Sequence, residues 1–323
     1  MLSGSRLGID RALEDFLTEA TGALNAIDPN LVPISSALQQ FLAGGKRLRP
    51  LFAVAGYIGA GGQVQSPALE TIYKASASLE LLQACALIHD DMMDGSDTRR
   101  GAPSIHRRFE AAHKARTGVG NSEDFGGAAA LLLGDLALVL SSQSLNESGI
   151  NDEQLRRVNP IFDTMKTELM AGQYLDMHAS SQVEVSVDDA LKIATYKSGK
   201  YTIERPLHFG GALALCAPDL QELYSAYGIP LGIAFQLRDD LLGVFGDSSL
   251  TGKPAGDDLR EGKRTALIAY SYDRSEAGNR KVLDSLLGKA DLNLAEIENL
   301  REVIIDSGAK THVEVLIEKL AEE

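Results

Sequence analysis

The segment IHDDMMD sets Asp90, Asp91 and Asp94 at the end of a run whose apolar residues, Ile72, Ala75, Leu79, Leu82 and Ala86, recur at steps of three and four. That period marks one buried face of a helix. Asp90 and Asp94 are four apart, so they project from one side and extend the apolar stripe by a turn each. Carboxylates on a core-facing stripe are costly unless cations meet them. Paired oxygen ligands suit Mg²⁺, which takes one or two carboxylates and fills its remaining positions with water and substrate phosphate oxygens. An isolated cluster of this kind reads as readily as a helix end whose acids face water.

A second cluster weighs against that plain reading. In FQLRDDLLGVFGD, Gln236, Asp239 and Asp240 again fall on one side of an apolar helix, and two such clusters can face each other across a helical cavity. Neither segment has the alternating Asp/Asn and Gly pattern of an EF-hand loop. The cations are clustered as well. Gly44-Gly45-Lys46-Arg47-Leu48-Arg49-Pro50 gathers three positive charges beside two glycines, Arg99 and Arg100 follow the first acidic cluster by one short loop, and Lys253 and Lys263 flank the acidic stretch after the second. Arg offers a planar fork for diphosphate oxygens and Lys a mobile point charge. Each of these cations alone reads as a solvated surface charge. Alternating with carboxylates, they imply two diphosphates held differently, one through metal and one by direct cationic contacts.

The elements that must position these groups are helices. Periods of three and four also run through residues 10–24, 128–145, 160–178, 188–215, 220–245 and the C-terminal third, with little strand-type alternation. Turn signals fall between them, at 43–50, 117–127, 181–189 and 246–262. No short repeat or low-complexity tract appears, so the expectation is one all-α domain over residues 1–323. A chain with 44% hydrophobic and 24% charged residues can bury a sizeable core. Its formal charge of −14 argues against nucleic acid as the main partner, because phosphate binding needs a basic face. The N-terminus lacks a basic region followed by an apolar one, and the longest apolar stretch, around Ala128 to Leu140, is interrupted by Gly134 and Asp135. Neither a secretory signal nor a transmembrane segment is expected. Cys85 and Cys216 lie in apolar surroundings without metal-type spacing and read as core residues of a reduced compartment, with the cytoplasm as the expected location.

GGKRLRP, LIHDDMMDGSDTRRG, YKSGK, FQLRDDLLGVFGD and TGKPAGDDLREGK stand in the order found in trans-isoprenyl diphosphate synthases. Over nearly its whole length the chain resembles that family, the polyprenyl synthetases, and most of all a bacterial geranylgeranyl diphosphate synthase. The resemblance implies the isoprenoid synthase fold, an all-α bundle around a central cavity, and a homodimer packed through long helices. It implies a Mg²⁺-dependent prenyl transferase that joins an allylic diphosphate to isopentenyl diphosphate. Three Mg²⁺ ions are implied, two held by Asp90 and Asp94 with support from Asp91, and a third held by Asp239. Arg99, Lys197, Gln236, Lys253 and Lys263 match positions that hold the allylic diphosphate or its metal shell. Lys46, Arg49, Gln83 and Arg100 match the isopentenyl diphosphate site. Gln83 stands where many members carry His, and Ser198, also on the substrate side, stands where Thr is common. In the family account the departing diphosphate takes the final proton, so His89 reads as a structural hydrogen-bonding residue.

Two features set this chain apart. The second acidic motif usually ends in Asp, but here that position is Gly243, with Asp247 one turn further on as a possible substitute. In the family, bulky aromatics four or five residues before the first Asp stop growth at fifteen carbons; here those residues are Ala86 and Cys85, both small. A tail anchored at Asp90 and Asp94 would run back along the stripe, and one helical turn of about 5.4 Å spans roughly one isoprene unit. Leu82, with Leu81, is then the next floor, which favours geranylgeranyl diphosphate over farnesyl diphosphate, with longer products as the alternative. A terpene cyclase also uses an aspartate-rich helix but lacks the GGKRLRP grip. A silent regulatory subunit typically loses acids from the first motif, and Asp90, Asp91 and Asp94 are all present.

Overall fold

Caps and turn residues divide the chain into helices, as the periodicity predicts. The computed structural model describes residues 2–65, 67–246 and 256–323, with only the backbone of residues 2 and 3. Lys253 and Asp247 lie outside the described residues. Two compact units can be distinguished, one of residues 1–163 with 205–224 and one of residues 164–204 with 225–323.

The first unit contains α1 (Leu2–Ile27), α2 (Val32–Leu42), α3 (Leu48–Gly59) and α4 (Ala68–Met93). A two-residue hairpin follows, β1 (Thr98–Arg99) antiparallel to β2 (Ala102–Pro103), and then α5 (Ile105–Ala115), α6 (Ser122–Asn146) and the start of α7 (Asp152–Ser180). Asp28 caps the turn between α1 and α2 by accepting from the Asn30 N–H at 2.8 Å. Asn121 does the same for α6 through the Glu123 N–H at 2.8 Å, and Glu123 and Asp124 suit the positive end of that helix. The core of this unit is built around α4, whose Ala77, Leu81, Ala84, Cys85 and Ile88 pack with Ala130, Leu133 and Ala137 of α6. The two helices approach closely because Gly134 has no side chain: a Cβ there would overlap the His89 ring.

α6 runs unbroken through Gly134 and Asp135, and by length and composition alone it is long enough to cross a bilayer. This corrects the expectation of a short apolar run. Gly134 is retained for helix contact and Asp135 points outward, so neither residue interrupts the helix. The inner face of α6 is buried in the core just described.

The second unit contains the rest of α7, α8 (Val187–Ile193), a π-helical segment Ala194–Glu204, and most of α10 (Pro218–Phe245). The helix between them in sequence, α9 (Arg205–Leu213), belongs to the first unit. Beyond residue 255 come α11 (Asp257–Arg260), α12 (Ala266–Arg274), α13 (Ala277–Leu286), α14 (Leu294–Asp306) and α15 (Ala309–Glu322). A reciprocal capping box between Asn293 and Glu296 starts α14. Leu237, Leu241 and Val244 of α10 pack with Leu259, Leu267, Ile268, Leu300 and Ile304 to form the core of this unit.

Candidate active site

α4 delivers the first acidic cluster at its C-terminal end. Asp94 is the C-cap, its N–H bonded to the Asp90 carbonyl at 2.9 Å, and the Asp91 carbonyl accepts from Ser96 N–H at 2.9 Å. The carbonyl end of a helix carries partial negative charge, so three carboxylates here require cations. Arg99 supplies one from β1: its Nε donates to Asp91 Oδ1 at 2.7 Å and its Nη2 to Asp90 Oδ2 at 3.3 Å. Burial works against the charge of Arg99, but the Asp91 hydrogen bond and the charges of Asp91, Asp90 and Asp94 outweigh it and raise its pKa. Asp91 is fully buried, whereas Asp90 and Asp94 are partly accessible from one side of the helix. Among the described residues no three His, Cys, Asp or Glu side chains close into a metal cage. A pair of accessible carboxylates on one helix face still fits Mg²⁺, which needs few protein oxygens when a diphosphate supplies the others.

The glycine-rich loop between α2 and α3 divides its three cations. Arg47 turns inward, correcting the reading of three charges available for a diphosphate. Its Nε donates to Asp10 Oδ1 at 2.7 Å, Nη1 to Glu80 Oε2 at 2.8 Å and Nη2 to the Leu42 carbonyl at 2.7 Å. Lys46 is exposed and Arg49 is half-buried. Arg100, at the hairpin tip, brings its guanidinium close to Gly45 and Arg47. Burial, helped by the charges of Arg99 and Arg47 and opposed by Glu80, lowers the pKa of Arg100. Arg47 and Arg100 also share a left-handed backbone, φ 54° at each, which non-glycine residues adopt only where the surroundings enforce it. Gln83 lies two turns before Asp90 on the same side of α4 and is half-buried.

His89 is engaged across the α4–α6 contact, with Nε2 3.1 Å from the Leu131 carbonyl and Nδ1 3.8 Å from Cys85 Sγ. Of the three product-length residues, Ala86 is partly accessible one turn below Asp90, while Leu82 and Cys85 are fully buried. Cys85 faces the core shared with α6, and burial, with a contribution from the Asp135 charge, pushes its thiol up to about 12.

In the second unit, YKSGK lies in the π-helical segment, a rare form found frequently at functional sites. Lys197 Nζ meets Asp176 Oδ2 of α7 at 2.5 Å, and Lys200 Nζ is 3.3 Å from Glu168 Oε1 and 3.1 Å from Glu204 Oε2. Between these two clasps a Cβ on Gly172 would stand 2.7 Å from the Lys197 Cα, so α7 presses directly on the segment that carries Lys197 and Ser198. Glu168, Gly172 and Asp176, one turn apart on α7, together form the clamp that holds the segment.

α10 brings the second acidic cluster. Asp239 is exposed, whereas Asp240 is buried and accepts from Gln236 Nε2 at 2.7 Å. Burial pushes the Asp240 carboxyl up to about 8; the Gln236 hydrogen bond opposes this, and the charges of Asp258, Asp239 and Asp176 add to it. Lys263 Nζ is 2.7 Å from Glu261 Oε2 and 3.8 Å from Asp258 Oδ1.

Residues 32–304 match the sequence profile of the polyprenyl synthetases. The chain belongs to that family. As a polyprenyl synthetase it is a prenyl transferase of the trans type. It is 31% identical over 292 residues to a geranylgeranyl diphosphate synthase of Saccharolobus solfataricus, covering 87% of this chain and 81% of that protein. A geranylfarnesyl diphosphate synthase of Aeropyrum pernix is also 31% identical, over 95% of this chain and 87% of its own length. A geranylgeranyl pyrophosphate synthase of Corynebacterium glutamicum, solved with isoprenyl diphosphate and magnesium, superposes with a TM-score of 0.96 at 42% identity, covering 100% of this chain and 91% of that one. The all-helical isoprenoid synthase fold implied by the motifs is the fold observed.

Sequence reasoning passes over Glu80 as an anchor and Asp176 as the partner of Lys197. Glu80 carried a signal, an acid inside an otherwise apolar helix, which is rarely buried without a cation. Nothing in the sequence announces which lysine Asp176 meets.

Proposed function

We propose that this polyprenyl synthetase elongates allylic diphosphates with isopentenyl diphosphate and releases mainly geranylgeranyl diphosphate. The observation that carries the reading is the end of α4, where Asp90 and Asp94 stay accessible, Asp91 is pinned by Arg99, and small Ala86 leaves the next turn open. Asp90 and Asp94 in the first unit and Asp239 in the second would hold Mg²⁺, three ions in all. When bound, the metal withdraws charge from the departing diphosphate and so eases cleavage of the allylic C–O bond. Arg99, Lys197, Lys253 and Lys263, with Gln236 and Ser198, would bind the allylic diphosphate. Lys46, Arg49, Arg100 and Gln83 hold isopentenyl diphosphate. The one-sided accessibility of Asp90 and Asp94 and the approach of the Arg100 guanidinium to Gly45 support this division. The apolar stripe of α4 keeps water from the allylic cation until the alkene attacks it.

The active form in this reading is a cytoplasmic homodimer in which residues 1–323 act as one catalytic domain. Phe125, Leu132 and Val139 of α6 are 44%, 61% and 64% exposed and recur every seven residues, the spacing of a helix–helix seam. Purified protein, supplied with Mg²⁺, labelled isopentenyl diphosphate and each allylic primer, is expected to yield a twenty-carbon alcohol after dephosphorylation. A fifteen- or twenty-five-carbon product overturns the assignment of length, and no product at all points to a silent subunit.

A further inference from the structure

Gly243 stands in α10, two residues before its end, where a glycine costs about 1 kcal/mol relative to alanine. The structure gives a reason for it. A Cβ at this position would overlap Asp258 Oδ2 and stand 2.6 Å from Asp258 Cγ. The Asp258 carboxylate thus lies against the backbone from which the last aspartate of the second acidic motif would otherwise project. Asp258 is held there. Its neighbour Leu259 is fully buried in the core of the second unit, and the Leu259 carbonyl accepts from the Gly288 N–H at 2.9 Å. The Asp258 carbonyl accepts from the Lys263 N–H at 3.1 Å, and its carboxylate is 3.8 Å from Lys263 Nζ.

We propose that Asp258 supplies, from α11, the carboxylate that α10 lacks at position 243, and that Gly243 is the seat admitting it. On the reading that this motif serves the allylic diphosphate and its Mg²⁺, Asp258 is a positioning residue: it fixes Lys263 and completes the acidic face begun by Asp239 and Asp240. The motif is redistributed over two helices, and the glycine is the condition for the exchange.

The test exchanges the carboxylate between helices. Gly243→Asp places two carboxylates in one volume, Asp258→Asn removes the charge while keeping the shape, and Gly243→Asp with Asp258→Ala returns a single carboxylate to α10. Binding of inorganic diphosphate with Mg²⁺ is followed by calorimetry, together with the KM of each substrate and the thermal midpoint. Gly243→Asp and Asp258→Asn are each expected to weaken Mg²⁺–diphosphate binding and raise the allylic KM about tenfold, as for groups that orient a metal site. The KM of isopentenyl diphosphate should stay within about twofold, and the double variant should recover most of the loss. Unchanged binding in Asp258→Asn at an unchanged thermal midpoint overturns the proposal, as does a double variant no better than Gly243→Asp alone. If the parent protein itself binds no Mg²⁺–diphosphate, the reading of the motif falls and the proposal falls with it.

Discussion

Arg47 Nη1 donates to Glu80 Oε2 at 2.8 Å, with side chains only 5% and 8% exposed. The pair ties the loop carrying Lys46 and Arg49 to α4, the helix that carries the acidic cluster. Removing one partner of a buried ion pair leaves an uncompensated charge and costs about 3–5 kcal/mol. Arg47→Ala is therefore expected to lower the urea midpoint strongly, whereas Lys46→Ala, at an exposed position, should leave it unchanged and raise the KM of isopentenyl diphosphate more than that of the allylic substrate. Adding Glu80→Ala to Arg47→Ala should cost less than the sum of the single changes, because they remove one interaction. Strictly additive losses, or equal KM changes for both substrates in Lys46→Ala, would show that the loop is held and used differently.

Under the proposed function Asp90 and Asp239 hold Mg²⁺, so Asp90→Ala and Asp239→Ala should each reduce turnover at least about a hundredfold. The far-ultraviolet circular dichroism and thermal midpoint should remain close to those of the parent. Asp91 differs, because it is fully buried and bonded to Arg99. Asp91→Ala should lower both turnover and stability. Near-parental rates in Asp90→Ala at saturating Mg²⁺ would remove that residue from the metal site.

The helical class is legible because the stripes on α4 and α10 repeat every three to four residues, and the place of Asp90 and Asp94 at the end of α4 because they continue its stripe. The direction of single side chains is not. GGKRLRP displays three cations without showing that Arg47 turns toward Glu80, since the pairing depends on a helix 33 residues away in sequence. The π-helical stretch is invisible for a related reason: its close approach to Gly172 on α7 and to Gly232 on α10 joins residues distant in sequence. Gly243 looks like a lost ligand until Asp258 is seen to lie against it.

Cys85 offers a pH signature. Burial pushes its thiol from the ordinary 9.0 up to about 12, so it stays neutral in the folded protein where an unfolded chain would ionise it. The folded-state value is the higher one. The contribution to stability is therefore complete below about pH 9 and is lost progressively as pH rises from 9.0 toward 12. Urea midpoints of the parent should fall more steeply over that range than those of Cys85→Ala. At pH 8 iodoacetamide should label the half-buried Cys216 and leave Cys85 intact until the protein unfolds. Rapid labelling of Cys85 in the native state would show that this part of α4 opens.

Product length is set, under the proposed function, by what lies beneath Asp90. Ala86 is partly accessible one turn down, Leu82 is fully buried a turn further, and Cys85 is sealed against α6. These placements separate Ala86 from Cys85, which the sequence treats alike. Ala86→Phe puts a ring into open space on the tail's side and should shorten the product to fifteen carbons with little loss of stability. Leu82→Ala removes the floor and should lengthen the product, at about 2–5 kcal/mol for a truncated core leucine. Cys85→Phe forces a ring into a filled core and should cost about 1–3 kcal/mol in overpacking, with a smaller effect on product length than Ala86→Phe. Chromatography of the dephosphorylated alcohols beside urea unfolding distinguishes the three. If Ala86→Phe leaves the product unchanged while Cys85→Phe shortens it, the growing chain runs along the α6 side of the helix and Cys85 is its gate.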